Sequence, residues 1–282
     1  MSAVLFDVPG PRARLRHRLY SLLGIALVVG VIGFVVYRFA ATGQFEAKKW
    51  SWPLYVNVQL DLLNALGNTL RAFAVGGVLA LLFGAIFAAG QLSDHAIFRV
   101  PSTVIVELFR AVPLVVLIFL FHYGLALGAP FYSVVAGLTL YNGSVLAEVF
   151  RAGVLSLPRG QGEAAYAVGM RKTQVMKFVL LPQAVRAMLP AIISQLVVVL
   201  KDSALGFLIT YEELLYRARA IGSAYEFDRP LVPVTIVIAA VYIAMCLLLT
   251  WLATYLEKRN RRNKKVVELE RKPAEDVVAA AV

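Results

Sequence analysis

The apolar residues of this chain are gathered into long runs, among them "LLGIALVVGVIGFVVY" and "TIVIAAVYIAMCLLLTWLATYL". Several reach roughly 20 residues, the length a helix needs to cross a hydrocarbon core about 30 Å thick. A membrane β-barrel would instead show segments of about ten residues alternating in hydrophobicity, and these runs do not alternate. With 60% hydrophobic and 16% charged residues, the composition lies far from that of an average soluble domain. The pattern predicts an all-α polytopic membrane protein with about six transmembrane helices, near Tyr20–Ala40, Thr69–Leu92, Val104–Leu125, Phe131–Leu155, Val185–Ile209 and Leu231–Leu256. The second, third and fifth carry polar or charged residues and are expected to face the helix bundle.

The formal net charge of +11 could suggest a nucleic-acid partner, but the placement of the charges argues against one. "PRARLRHR" precedes the first span and "KRNRRNKK" follows the sixth. An even number of spans puts both on one side, and about 19 of the 28 Lys and Arg then fall there. The positive-inside rule makes that side cytoplasmic, so the basic runs are topology determinants beside anionic lipid. The first apolar run is longer than a signal-peptide core and no small-residue cleavage site follows, which predicts a retained span in the plasma membrane. Cys246, the single cysteine, lies inside the sixth span and can form no internal disulfide. His17, His95 and His122 are dispersed without ligand spacing, so no metal site is expected. No nucleophile sits with a base, and no catalytic residue is assigned.

Between the fourth and fifth spans lies a basic, alanine-rich segment, "QGEAAYAVGMRKTQVMKFVLLPQA" from Gln161. Pro158, Gly160 and Gly162 are expected to end the fourth span and turn the chain, placing Glu163 in the first turn of a new helix, where a negative charge suits the positive helix end. Ala164, Ala165 and Ala167 favour helix and keep its surface slim enough to lie in a partner's groove. Gly169 permits a turn. A second helix follows, with Val175, Met176, Val179 and Leu180 facing inward and Pro182 marking its end. After the fifth span, Leu214, Leu215, Ala218 and Ile221 recur at helical spacing and predict a short helix outside the membrane, either part of an outer gate or an amphipathic connector.

Ionisable groups at membrane depth default to function. Glu107 and Arg110, three apart before a kink at Pro113, can pair on one helix face, and Glu148 and Arg151 repeat the spacing. Both pairs are read as structural or gating elements. Lys201, Asp202 and Ser203 interrupt the fifth span. Adjacent basic, acidic and hydroxyl groups suit a zwitterionic amino acid, whereas mutual neutralisation of Lys201 and Asp202 is the structural alternative. Gln195, nearly two turns earlier, can share the same face. Arg71 either attracts an acidic substrate or snorkels to the interface. Gln195, Lys201, Asp202, Ser203, Glu148 and Arg71 form the expected substrate path.

The spacing Glu163-Ala164-Ala165, Gly169, Leu181-Pro182 resembles the EAA loop of ATP-binding-cassette importer permeases. "NTLRAF", "ELFRAVPLVV", "AEVFRAGVLSLPRGQGEAA" and "LPQAVRAMLPAIISQLVVVLKDSAL" resemble the polar amino acid uptake branch of that family. "VLFDVPGPRARLR" and the additional first span look like actinobacterial glutamate permeases. The resemblance implies a type I ABC importer fold, with residues 1–19 as an N-terminal cytoplasmic tail and 20–40 as an extra transmembrane helix. Residues 62–256 would be the permease core including a cytoplasmic coupling loop at 156–184, and 257–282 a charged cytoplasmic tail. It also implies that Glu163, Ala164, Ala165, Gly169, Leu181 and Pro182 couple the chain to a cytoplasmic ABC ATPase dimer. This chain shows no G-x-x-x-x-G-K-[ST] loop, so ATP and Mg would be used by that partner and no cofactor held here.

An extracytoplasmic amino-acid-binding protein would deliver substrate, glutamate being the first expectation. One departure is "KDSAL", where the branch commonly reads Lys-Asp-Thr-Ser-Leu: Ala204 lacks a hydroxyl. That change and the extra span favour a heterodimer with a second permease subunit over a homodimer. An ion-coupled secondary amino acid transporter is the alternative function, and a scaffold or sensor that only docks an ATPase is a further one.

Overall fold

The computed structural model describes residues 10–262, and among them there are helices and no strands. The expected tail segments at 1–9 and 263–282 lie outside the described residues. Among the described residues five helices are long and apolar enough to cross a membrane, and two further helices, bent by 97° at a short break, bring the number to six when they are counted as one span. The protein is a multi-pass membrane protein.

Helix α1 (Pro11–Ala41) starts nine residues before the expected Tyr20. Proline at the first helical position is pre-organised for a start, and Arg12, Arg14, Arg16 and Arg18 are good helix formers that extend the span. Helix α2 (Val56–Gln91) likewise begins well before Thr69, because "VNVQLDLLNALGN" keeps helical periodicity although it is too polar to count as membrane core. At 1.5 Å per residue, its 36 residues reach well beyond a core of about 30 Å.

The chain divides into two compact units. The first comprises the described part of Met1–Gly67 with Glu212–Ala239. Its loop after α1 is held by Lys49, a buried lysine whose Nζ lies 3.2 Å from Asp228 Oδ2 and donates to the carbonyl of Gly43. Tyr55 and Phe227 meet edge to face. The short helix expected after the fifth span is present as α9 (Leu214–Gly222), with Leu214, Ala218 and Ile221 buried. Its start is fixed by Glu213, whose carboxylate accepts from the backbone N–H of Leu215 and Tyr216. That pairing is an N-terminal cap.

The second unit, Asn68–Tyr211 with the described part of Ala240–Val282, carries the candidate site. Helices α3 (Ala96–Ala111) and α4 (Leu114–Phe119) are the broken pair. Pro113 forces extended backbone on Val112 (φ −85°, ψ 125°), so the expected kink becomes a full break. Helix α5 (Pro130–Leu155) is the central element and packs against α3, α4 and α8 (Leu181–Asp202). Small residues let α2 and α5 approach closely: a Cβ on Gly143 would lie 3.1 Å from the Ala80 carbonyl. Such contacts drive helix association where lipid removes the hydrophobic incentive. Ala72, Leu114, Ile118, Val134, Leu138, Val199 and Ile209 form the apolar core.

Helix α10 (Leu231–Arg262) is the last element among the described residues and includes Cys246.

Candidate functional site

The polar segment after α5 folds into helix α6 (Arg159–Ala167), a single turn α7 (Lys172–Gln174) and a π-helical stretch at Val175–Leu180 that runs directly into α8. Three expectations are corrected. The turn out of α5 is made by Ser156, Leu157 and Pro158, while Gly160 and Gly162 already lie inside α6. Glu163 therefore sits in the second turn, beyond the strongest part of the helix-end field. Pro182 ends nothing: it lies at the second position of α8, directly after the π-helical stretch. The wider π turn before it supplies the room that its ring would otherwise take from the preceding carbonyls.

Gly169 does turn the chain, with φ +82°. Its N–H donates to the Tyr166 carbonyl, and the Met170 N–H to that of Ala165. These two bonds are the Schellman arrangement that satisfies the last carbonyls of a helix. Ala165 is buried, whereas Glu163 and Ala164 are exposed. Tyr166 and Val168 are 50% and 77% exposed and present an apolar tip that the alanine pattern alone did not single out. In the following stretch Val175 is buried, Met176, Val179 and Leu180 are partly buried, and Lys177 and Phe178 are exposed, as the spacing predicts. Gln183 donates to the Val179 carbonyl and to Gln161 of α6, tying the two arms together. Lys172 pairs with Asp94 in the α2–α3 turn. The hydrogen bond and charge of that ammonium hold the Asp94 carboxyl below the usual carboxylate range. Leu181 is exposed at the start of α8.

Within the helices, both charge pairs form. Arg110 Nη1 lies 3.4 Å from Glu107 Oε1 on α3, and Arg151 Nη2 lies 2.9 Å from Glu148 Oε2 on α5. Gln91, buried at the end of α2, donates to Glu148 at 3.0 Å.

A second cluster occupies the middle of α5. Gln195 Nε2 donates to Asn142 Oδ1 at 2.7 Å, and Asn142 Nδ2 donates to Asp202 Oδ2 at 3.2 Å. Gln195 and Asp202 are thus brought together through Asn142, a fully buried residue that the motif reading missed. Its signal was present: a carboxamide in the apolar run "LTLYNGSVL". The other expected path residues lie elsewhere. Lys201 is exposed and forms no ion pair with Asp202. Ser203 is buried and its hydroxyl donates to the Leu200 carbonyl, so it offers no hydroxyl beside Asp202. Arg71 lies over the Phe131 ring, 4.5 Å from its centroid, and Glu148 belongs to the charge cluster.

Residues 80–262 match the family described as "Binding-protein-dependent transport system inner membrane component". The chain is 40% identical over 239 residues to the glutamate transport system permease protein GluD of Corynebacterium glutamicum, covering 80% of this chain and 84% of that protein. The chain belongs to this permease family.

The permease is also 30% identical to the arginine transport system permease protein ArtQ of Bacillus subtilis, over 72% of this chain and 93% of that one. Its fold matches a chain in the crystal structure of an amino acid ABC transporter with histidines. There the TM-score is 0.66 at 29% identity, covering 74% of the permease and 98% of that chain. The family match covers α5 to α8, so the polar segment after α5 and the Asn142 cluster both lie within it. This chain is therefore a transport component. Its polar segment ends α6 in an exposed apolar tip at Tyr166 and Val168, and its helices hold two polar clusters, one around Glu148 and one around Asn142.

Proposed function

We propose that the permease is one membrane subunit of an importer for polar amino acids, glutamate first among them. The observation that carries the reading is the 40% identity to a glutamate permease across most of both chains. Both termini are cytoplasmic, which places α6 and the Asp94–Lys172 pair inside the cell, in agreement with the basic ends. There the α6 tip docks on a cytoplasmic ABC ATPase dimer, which uses ATP and Mg.

Closure of the ATPases moves α6. The Schellman turn and the unbroken run from the π segment into α8 pass that movement to the helix bearing Gln195 and Asp202. An extracytoplasmic binding protein delivers substrate on the opposite face. Asp202, a carboxylate at membrane depth, offers its charge to the substrate ammonium. A second, related permease subunit completes the pathway in a heterodimer.

The test is uptake of labelled glutamate by vesicles holding the permease with its second permease subunit and ATPase. Accumulation should require both ATP and the binding protein. Accumulation by the permease alone on an ion gradient, or none of any polar amino acid by the complete system, would overturn the reading.

A further inference from the structure

Asn142 sits fully buried halfway along α5, the helix on which the second unit is built. A carboxamide is an ambiguous group, because its oxygen and its N–H2 have nearly the same shape. At Asn142 the ambiguity is removed from the Asp202 side. Asp202, when ionised, only accepts, so it requires the N–H2. That leaves the Asn142 oxygen facing Gln195, which must present its own N–H2. The bonds of 2.7 Å and 3.2 Å form one directed relay from α8 to α5 and back to α8. Gln195 and Asp202 are two turns apart on one face of α8, so a single side chain from α5 bridges them.

Asp202 itself is incompletely matched. Among the described residues no Lys, Arg or His nitrogen lies within 4.0 Å of its carboxylate. An ionised carboxylate has roughly four acceptor positions, and Asn142 fills one. Lys201, its neighbour in sequence, attracts it only from beyond ion-pair distance, and a charge kept at membrane depth without a direct counter-ion is costly. Holding it in a fixed orientation makes sense where a cationic group comes and goes.

We propose that Asn142 is a positioning residue for transport: locked by Gln195, its carboxamide aims the Asp202 carboxylate at the ammonium of the passing amino acid. This rests on the importer reading above, in which Asp202 meets substrate. A residue that merely clamps α5 to α8 would behave differently, and an exchange of the two groups separates the roles.

Asn142→Asp and Asp202→Asn are each expected to lower maximal glutamate uptake at least tenfold in the complete importer. The double exchange rebuilds the bonds, since the carboxylate now on α5 accepts from both Gln195 and the new amide on α8. It should restore the amount of permease in the membrane to the wild-type level. Uptake should nevertheless stay at least tenfold down, because the charge has left α8. Recovery of uptake to within twofold of wild type would reduce Asn142 to a clamp and overturn the proposal.

Gln195→Met supplies an independent arm if the exchanged protein inserts poorly. It leaves Asn142 and Asp202 in place but unlocks the amide, and a several-fold loss of maximal uptake is expected; unchanged uptake would overturn the proposal. Wild-type permease run alongside keeps the two readings apart. Absence of ATP-dependent uptake there would sink the importer reading, whereas normal wild-type uptake with an unaffected Gln195→Met variant sinks only the role of Asn142.

Discussion

The backbone N–H of Met170 donates to the carbonyl of Ala165 at 3.2 Å, closing the end of α6 around a glycine at φ +82°. A Cβ on Gly169 would meet nothing within 4 Å, so any effect of substitution there is conformational rather than steric. A left-handed residue other than Gly or Asn costs about 1–2 kcal/mol. Gly169→Val should therefore lower ATP-dependent uptake several-fold with normal membrane insertion, and Gly169→Asn should retain more activity. Uptake assays against immunoblots of membrane fractions would show this order.

Neighbouring alanines on α6 should respond in opposite ways. Ala165 is buried at 6% exposure and Ala164 is exposed. Ala165→Leu overfills its seat, which costs about 1–3 kcal/mol, and should lower the thermal midpoint of the purified permease by several degrees. Ala164→Leu should leave that midpoint unchanged yet reduce the amount of ATPase that co-purifies. Thermal unfolding and pull-down on both variants measure the two effects.

The helices were legible in the sequence because lipid demands long apolar runs, and the polar segment between α5 and α8 because its glycine, alanines and charges interrupt them. Boundaries were less so. The amphipathic start of α2 carries Asn57, Gln59 and Asp61, which lower hydropathy without ending a helix, and Pro182 signals a stop only when the preceding turn is regular. Within the bundle, adjacency misled. Lys201, Asp202 and Ser203 are consecutive, but successive residues of a helix point about 100° apart. Only Asp202 meets Gln195, through a residue 60 positions away. Sequence spacing identifies partners on one helix, as for Glu107 with Arg110. It cannot locate Asn142 or Gln91, whose partners arrive from other helices.

The Glu148–Arg151 pair should reveal itself by non-additivity. Removing one member of a fully buried ion pair costs about 3–5 kcal/mol, whereas removing both is often nearly neutral. These side chains are 21% and 39% exposed, so smaller values are expected with the same order. Arg151→Met, which leaves Glu148 with Gln91 as its remaining close partner, should reduce stability more than the double variant Glu148→Gln, Arg151→Met. Unfolding midpoints of the singles and the double close the cycle.

The Asp94–Lys172 pair should be insensitive to physiological pH. The folded-state pKa of Asp94 is depressed, so its contribution is present above the unfolded carboxylate value, near pH 4, and is lost only as pH falls through the lower folded value. Between pH 6 and 8, Asp94→Asn should shift uptake by the same factor throughout. A factor that changes with pH in that window would show that another group governs the contact.

The account rests on α6 as the place where a cytoplasmic ATPase grips the chain. A photo-reactive amino acid at Val168, the most exposed apolar position of that tip, tests this in the assembled complex. The account predicts an irradiation-dependent adduct with the ATPase subunit, and no labelling of a cysteine at position 168 by an impermeant thiol reagent added outside intact cells. An adduct lacking the ATPase, or labelling from outside, would contradict it.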